Sequence, residues 1–535
     1  MPIRNERLVS CLALVLLTAA TFANALPNRF VSFDDWFLVE ENTRIRSLSP
    51  ASVHRILTTQ SHHTWLPLRE LTYAFDYAIW GLLPFGYHLT NVLFHIANVL
   101  LVYALLRRLL RAPWLPLLGA AWFAVHPVQV ESVAWISGRR DVQYAFFYLL
   151  ALLAFMEWDK RRDATRWGFY AASLVCLGAS LLSKAAAMTF PAILFLLMFL
   201  MSGPGDDLVR KIALTVPHGV LAAAATAAHT AIAHQAGIVK GPALSSSIAT
   251  LPLILAKYGR LLFLPVHLAT PHGDGTLAWS QAARIALLAA SVVAVVVLAW
   301  WAAPRRALAV LCLGWWFVML LPVSNLVPLS VLVAERYLYL PLVGACALGA
   351  DVVGSLMAGR RRLVVGCAAL TVVLLAAASM SRNRAWEDGR IFWHDGISKW
   401  PDIPVTRIGL AAEYLDMGEF EGAWAQYMMI ARAGGRAAST HPDHTSLVHI
   451  GLGRCYDRLA RQREAAGRPE AALEVYETVV QIMPKKVEPR VRLAKAYERH
   501  GKSEKALAQV RAIKQLDKDH EDIDEWLDRL EPPVQ

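Results

Sequence analysis

Apolar residues in the first 380 positions come in long runs rather than in alternation. The runs fall at approximately 8–27, 87–106, 113–130, 142–157, 167–183, 186–201, 212–235, 282–303, 307–324, 336–357 and 363–380. Each approaches the ~20 residues an α-helix needs to cross a bilayer core. A further stretch, 248–268, is interrupted by Lys257 and Arg260 and reads as re-entrant or as lying along the outer face. Basic clusters set the direction, because Lys and Arg collect on the cytoplasmic side of a span. Arg4/Arg7, Arg107/Arg108/Arg111, Lys160-Arg161-Arg162, Arg210-Lys211, Arg305-Arg306 and Arg360-Arg361-Arg362 share one side if 248–268 does not cross. The pattern predicts about eleven transmembrane helices, with the amino terminus inside and the tail outside. Arg4 and Arg7, the first apolar run and Ala23-Asn24-Ala25 also fit a cleavable signal peptide, which would leave the tail outside as well.

The first outer loop, 27–85, should hold two short helices. Ser49 followed by Pro50 gives a cap and first turn. Val53, Ile56 and Leu57 then form one apolar stripe, as in a helix lying on a membrane surface. A second helix is predicted from Trp65-Leu66-Pro67, with Leu68, Leu71 and Phe75 on one face.

Beyond Ile403 the pattern changes to helical hairpins with a repeat. Leu410, Ala411, Tyr414, Gly418, Ala423 and Tyr427 recur at the same offsets as Leu493, Ala494, Tyr497, Gly501, Ala506 and Val510. A middle copy has Leu452, Gly453 and Tyr456, an insertion of about seven residues, then Gly467, Ala472, Tyr476 and Pro484. A period of roughly 34 residues is that of tetratricopeptide repeats, and Ile523 to Leu530 reads as a capping helix. The chain thus divides into a membrane domain at 1–381, a linker helix region at 382–402 and a repeat domain at 403–535. The repeats lie near 404–437, 446–486 and 487–520.

The net charge of +11 changes little in this picture. Its basic residues sit in short clusters between apolar runs, which is placement for orientation and argues against nucleic acid. The six cysteines form no disulfide framework, CxxC or zinc spacing. His62-His63, His88, His95 and His126 match no standard metal-ligand set, so no metal or other cofactor is expected.

The outer side carries the unusual residues. Asp34 and Asp35 follow the first span at once, and ionisable groups beside lipid are costly unless paired or used. Outer loops also carry His126 to Glu131, Gly138 to Asp141, Ser183-Lys184 and Ala334 to Tyr339. Carboxylates and cations gathered on one membrane face suit glycosyl transfer from a polyprenyl-phosphate sugar. A carboxylate would take the acceptor's proton, and cations would stabilise the departing phosphate. A transporter would instead place ionisable residues and helix breaks inside its spans. A membrane-anchored repeat scaffold has no use for the acidic pair.

Taken in order, Phe33-Asp34-Asp35, Trp65-x-Pro67-Leu68, Tyr87-His88-x-x-Asn91-x-x-x-His95, His126-Pro127-x-x-x-Glu131-x-Val133, Gly138-Arg139-x-Asp141, Ser183-Lys184 and Ala334-Glu335-Arg336-x-Leu338-Tyr339-Leu340-Pro341 resemble the transmembrane and tetratricopeptide-repeat-containing family. That family is related to the protein O-mannosyltransferases. The resemblance implies an all-α GT-C glycosyltransferase fold followed by a repeat solenoid. It also implies inverting transfer of a sugar, mannose in the family, to a protein hydroxyl. By the same resemblance Asp34 and Asp35 are the catalytic pair. Arg139, Lys184 and Arg336 are candidates for the donor phosphate, with Asp141 and Glu335 as neighbouring acids that could equally tie the two arginines into salt bridges. Glu131 either orients a donor hydroxyl or assists the base, or it holds its loop, and His126 opens that loop. Two departures stand out: Ala185 replaces an acid usual after the lysine, and Leu66 replaces an arginine usual before Pro67, for which Arg69 could substitute. The expected partners are the lipid-linked donor, an acceptor protein or peptide, and membrane lipid. A bacterial inner membrane with a periplasmic tail is expected, with the endoplasmic reticulum and a luminal tail as the alternative.

Overall fold

The structure, a computed structural model, describes residues 2–61, 64–201, 208–235, 244–270, 272, 297, 306–324, 331–357, 360–432, 442–518, 520 and 523–531. The apolar run at 282–303, apart from residue 297, and the pair His62-His63 lie outside the described residues. Among the described residues every regular element is a helix, with one isolated bridge between Ser61 and Thr64. They form two compact units, Met1–Phe392 and Trp393–Gln535.

In the first unit α1 (Pro2–Phe22) leads through the acidic loop to α2 (Pro50–Thr58) and α3 (Pro67–Trp80). Then follow α4 (Pro84–Leu109), α5 (Leu115–Val125), α6 (Val130–Ala134), α7 (Arg139–Lys160), α8 (Arg166–Leu181), α9 (Phe190–Met201), α10 (Leu208–Gln235) and α11 (Leu244–Phe263). The unit is completed by α12 (Arg306–Leu320), α13 (Pro341–Ser355) and α14 (Arg361–Asn383), and α15 (Gly389–Lys399) runs across the division. α4 packs against α1, α5 and α7; α7 lies along α8; α13 bridges α5 and α12. Among the described residues, five helices are long and apolar enough to cross a membrane: Asn5–Ala25, Pro84–Leu109, Ile212–Ile232, Arg306–Val323 and Arg361–Trp386. Three shorter apolar helices accompany them. The chain has the helices of a multi-pass membrane protein.

Three predicted runs are broken by the structure. The run 113–130 stops as an α-helix at Val125, 186–201 begins with a 3-10 turn at Ala185–Thr189, and 336–357 begins with one at Glu335–Leu338 before α13. Each break falls beside a residue whose polar group needs protein neighbours: His126, Lys184 and Arg336. The stripe expected on α2 is divided. Ser49 does cap it, accepting from the Ser52 amide, but Ile56 is buried with Leu38, Val39, Ile45, Tyr73, Tyr87 and Ile136. Of the stripe, Ile56 alone is fully buried in this small core; Leu57 stays exposed, and α3 adds exposed apolar surface through Phe75 and Ile79.

The second unit pairs α16 (Pro404–Asp416) with α17 (Phe420–Arg432), α18 (Pro442–Ala465) with α19 (Pro469–Ile482), and α20 (Val487–Arg499) with α21 (Ser503–Leu516). Gly418, Gly467 and Gly501 all have positive φ, between 67 and 75°. This is the left-handed helix stop that glycine adopts without a Cβ penalty. The seven-residue insertion is no loop: it extends α18 to 24 residues, against 13 in α16 and α20. The last helix, α22 (Ile523–Leu530), buries Ile523, Trp526 and Leu527 on Ala494, Val510 and Ile513, and Glu498 accepts from the Trp526 indole and Arg529.

Candidate active site

The site is framed by residues 123–139, every one of which is buried. Irregular backbone beside membrane helices must have its polar groups met by protein. Asn91 on α4 does this: its Nδ2 donates to the carbonyls of Trp135 (2.8 Å) and Val133 (3.3 Å). Tyr73 donates to Ile136 O at 3.1 Å. Gly138 is required by close approach, since a Cβ there would lie 2.7 Å from Ser132 O and 2.8 Å from Glu131 O.

Asp35 is fully buried and closes the first loop onto this frame. Its Oδ1 accepts from the Ser137 amide at 3.0 Å and from the Ser137 hydroxyl; its Oδ2 accepts from the Val31 amide at 3.0 Å. Burial pushes its carboxyl up to about 7, against the pull of those donors. Asp34 is only partly buried. Burial raises its pKa too, opposed by the charges of Arg140, Arg336 and Arg69, in that order.

Those cations are held from behind. Glu131 accepts from the Arg336 guanidinium and, at 2.7 Å, from its amide. Asp141 pairs with Lys184, whose ammonium lies 5.2 and 5.4 Å from the rings of Tyr144 and Tyr337. Arg336 and Arg140 stand 5.5 and 5.9 Å from the Trp135 ring. Trp135 in turn packs against Phe33 and Trp386. Among the described residues, Arg69 Nε and Nη2, Arg140 Nε and Arg336 Nε find no hydrogen-bond acceptor although buried. Arg140 Nε is 3.8 Å from Asp141, too far for a hydrogen bond. Buried guanidinium donors without acceptors are costly, so this arrangement suits an incoming anion. Asp34 thus lies within the field of Arg140, Arg336, Arg69 and Glu131, and Lys184 within that of Asp141, Arg140 and Arg336, with Asp35 turned away onto its donors.

Of the predicted residues, Asp34, Arg69, Glu131, Asp141, Lys184 and Arg336 come together, and Asp35 anchors them. Arg139 does not join them, which corrects its placement as a phosphate ligand. Its side chain is fully buried, with Nη2 on Asp76 at 2.6 Å and on Tyr87 O at 2.9 Å, and Nε on Asn91. The expected neighbouring acids are not the partners either: Asp141 serves Lys184, and Glu335 lies 3.4 Å from His272 and 3.8 Å from Arg382. His126 is a packing residue, bonded to Leu262 O at 3.0 Å. His95 is another, between Tyr339 OH (2.7 Å) and Ala124 O (3.0 Å). Among the described residues no three His, Cys, Asp or Glu side chains are placed to hold a metal ion. Sequence reasoning missed Arg140, Trp135, Tyr337 and His272. Arg140 could have been found: α7 starts at Arg139, so adjacent side chains diverge by ~100°, and only one of the two arginines can face Asp34.

Residues 463–527 match the tetratricopeptide repeat family. The class defined by the fold and by this comparison is a multi-pass membrane protein with a tetratricopeptide-repeat tail. Over 526 aligned positions, covering 81% of the chain and 55% of the relative, it is 26% identical to Protein O-mannosyl-transferase Tmtc3 of Drosophila melanogaster. It is 34% identical over 192 residues to Protein O-mannosyl-transferase Tmtc2 of the same organism, covering 34% of the chain and 20% of the relative. It is 37% identical over 135 residues to human Protein O-mannosyl-transferase TMTC2, covering 25% and 16%. The chain thus spans between a sixth and about half of these relatives, and it is similar to the transmembrane and tetratricopeptide-repeat-containing proteins. Similar solved structures include the oligosaccharyltransferase AglB from Archaeoglobus fulgidus, in complex with an inhibitory peptide and a dolichol-phosphate (13% identity, 74% of this chain and 56% of that one, TM-score 0.42). Another is ArnT from Cupriavidus metallidurans bound to undecaprenyl phosphate (16% identity, 89% and 80%, TM-score 0.39).

Proposed function

We propose that the chain is an inverting GT-C glycosyltransferase that moves mannose from a polyprenyl-phosphate carrier to a protein hydroxyl on the non-cytoplasmic face of the membrane. The tail, on that same face, would bind the acceptor or a partner, in a bacterial inner membrane facing the periplasm. The observation that carries this reading is Asp34, partly exposed and ringed by guanidinium groups whose buried N–H donors have no acceptor.

Asp34 is the general base. It takes the acceptor hydroxyl's proton as that oxygen attacks the anomeric carbon, while the bond to the phosphate oxygen breaks on the opposite side. Arg69, Arg140, Arg336 and Lys184 hold the phosphate, and Glu131 and Asp141 fix Arg336 and Lys184. Transfer raises the negative charge on the departing phosphate from one toward two, while Asp34 takes up the acceptor's proton and so loses its own charge; the surrounding cations supply the electrostatic stabilisation that a departing phosphate requires.

The test is release of polyprenyl phosphate from a synthetic polyprenyl-phosphate mannose, with purified protein in lipid nanodiscs and a pool of serine- and threonine-rich peptides. Asp34→Asn should lower the rate by a factor on the order of 10²–10⁴, the range for a general base. Transfer at the wild-type rate by Asp34→Asn would remove the assignment. Transfer by neither protein, with any lipid-phosphate sugar, would favour a repeat scaffold.

A further inference from the structure

The turn that carries Arg336 carries a second polar group on its other side. Glu335 and Arg336 open the 3-10 turn Glu335–Leu338, in which successive side chains diverge by ~120°. Arg336 pairs with Glu131. Glu335 goes the other way, with Oε1 at 3.4 Å from His272 Nε2 and 3.8 Å from Arg382 Nη2. Neither approach is a hydrogen bond. Among the described residues, both Glu335 oxygens and both His272 ring nitrogens are buried without a hydrogen-bond partner, and so is the hydroxyl of Thr270, two positions before His272. The Glu335 side chain is fully buried and that of His272 is 1% exposed. A carboxylate left in this way costs more than a neutral group would, so the cluster calls for donors from outside the chain.

A ring of contacts joins this cluster to the cations around Asp34. Arg336 stands 5.5 Å from the Trp135 ring, and Trp135 stacks on Trp386 at 5.6 Å. Trp386 follows Arg382 by four positions, in the turn after α14, and Arg382 returns to Glu335. Among the described residues, both indole N–H groups are also buried without an acceptor. His272 lies close enough to Glu131 for its charge to act there. Unmet acceptors and unmet donors thus lie around the cation assigned to the phosphate. A metal cation fits poorly, because Arg382 already lies on the same Glu335 oxygen. Neutral hydroxyls meet no such repulsion, and each can both donate and accept. We propose that Glu335 and His272 read the sugar of the lipid-linked donor: adjacent ring hydroxyls bond the Glu335 carboxylate and the His272 imidazole while the phosphate sits on Arg336. This rests on the proposed transferase function, and it makes the two residues determinants of sugar specificity rather than of proton transfer.

The test uses the full chain in lipid nanodiscs with no acceptor present. Native mass spectrometry reads binding of polyprenyl-phosphate mannose and of its 2-, 3-, 4- and 6-deoxy analogues. Wild type should hold the parent donor at least about tenfold more tightly than one or more of the deoxy donors, the worth of a hydrogen bond to a charged group. Glu335→Gln turns a charged acceptor into a neutral one and should cut that ratio by about threefold or more. His272→Phe keeps a ring, removes both nitrogens and should cut the ratio too; it reads the site should Glu335→Gln fold poorly. Both variants should bind sugar-free undecaprenyl phosphate as wild type does, since Arg336 keeps Glu131. Equal binding of parent and deoxy donors by wild type overturns the inference. So does an unchanged ratio in the folded variants, or a loss of undecaprenyl phosphate binding that matches the loss of the mannose donor. Either result would make Glu335 a structural partner of His272 and Arg382. Discrimination that depends on Glu335, without sugar transfer to any peptide, would sink the transferase reading and leave the subsite standing. Sugar transfer at equal rates from parent and deoxy donors would do the reverse.

Discussion

Asp34 and Asp35 are adjacent, yet their surroundings differ, and the proposed division of roles between them is open to a test by pH. Asp35 is fully buried, with its carboxyl raised from 3.8 to about 7. A shift of about three pK units at ~1.36 kcal/mol each is ~4 kcal/mol of linkage. The folded chain holds this proton more tightly than the unfolded chain. The stabilisation is therefore full below pH 3.8 and is lost as pH rises through about 7. Asp35→Asn removes that titration. Its amide keeps an oxygen for Ser137 but turns an NH₂ toward the Val31 amide, now 3.0 Å from Oδ2. Leaving that donor unmet costs ~1–3 kcal/mol. Thermal unfolding of purified wild type and Asp35→Asn at pH 5, 6, 7 and 8 reads the outcome. The wild type's advantage should shrink by ~2 kcal/mol between pH 5 and 7. Asp35→Asn should keep sugar transfer in proportion to its folded fraction, whereas Asp34→Asn should fold normally and lose transfer. Parallel unfolding curves, or equal catalytic loss in both variants at full folding, would refute the division of labour.

Other substitutions follow from the same geometry. Arg139→Ala strands Asp76 in the interior and should cost ~3–5 kcal/mol, seen as loss of monodisperse protein. Arg140→Ala should fold with wild-type thermal stability but bind undecaprenyl phosphate about tenfold more weakly, a change of ~1.4 kcal/mol. Gly138→Ala pushes a methyl group onto two carbonyl oxygens and should lower the unfolding temperature with transfer lost in parallel. Gly501→Ala, at φ +67°, should destabilise the repeat unit by ~1–2 kcal/mol, measured by circular dichroism melting.

How much was legible depends on the range of the interaction. Helix length and repeat period are local, so the main runs and the repeats, from Leu410 to Val510, were readable. The gathering of Asp34, Lys184 and Arg336 was readable too, because basic clusters fix which loops share a side of the membrane. Pairing was not. The acid that holds Arg336 lies 205 residues away, at Glu131, and Arg139 takes Asp76, 63 residues upstream. Adjacency misled at both, since neighbours at a helix start or in a 3-10 turn point apart. The insertion in the middle repeat was visible as a length but not as a conformation. The missing break at 113–130 had a signal in His126-Pro127, which hydropathy alone averages away.

Glu131 was open to two readings, a group that orients a donor hydroxyl or assists the base and a prop for its loop, and its partners favour the second. Both carboxylate oxygens are used by one residue: Oε1 by the Arg336 guanidinium and Oε2 by the Arg336 amide. A base needs a free lone pair directed at the acceptor, and this carboxylate is fully buried. On the proposed function it holds Arg336 with Nη1 turned back, so that Nε is left for the donor phosphate. Glu131→Gln can satisfy one of those donors with its single carbonyl oxygen; its NH₂ then faces the other. That leaves a buried guanidinium unpaired at a cost of ~3–5 kcal/mol. The unfolding temperature should therefore fall together with transfer, while Glu131→Asp partly restores both. A Glu131→Gln protein with wild-type unfolding temperature and no transfer would instead make Glu131 a proton-transfer group, and Asp34 would have to share the chemistry.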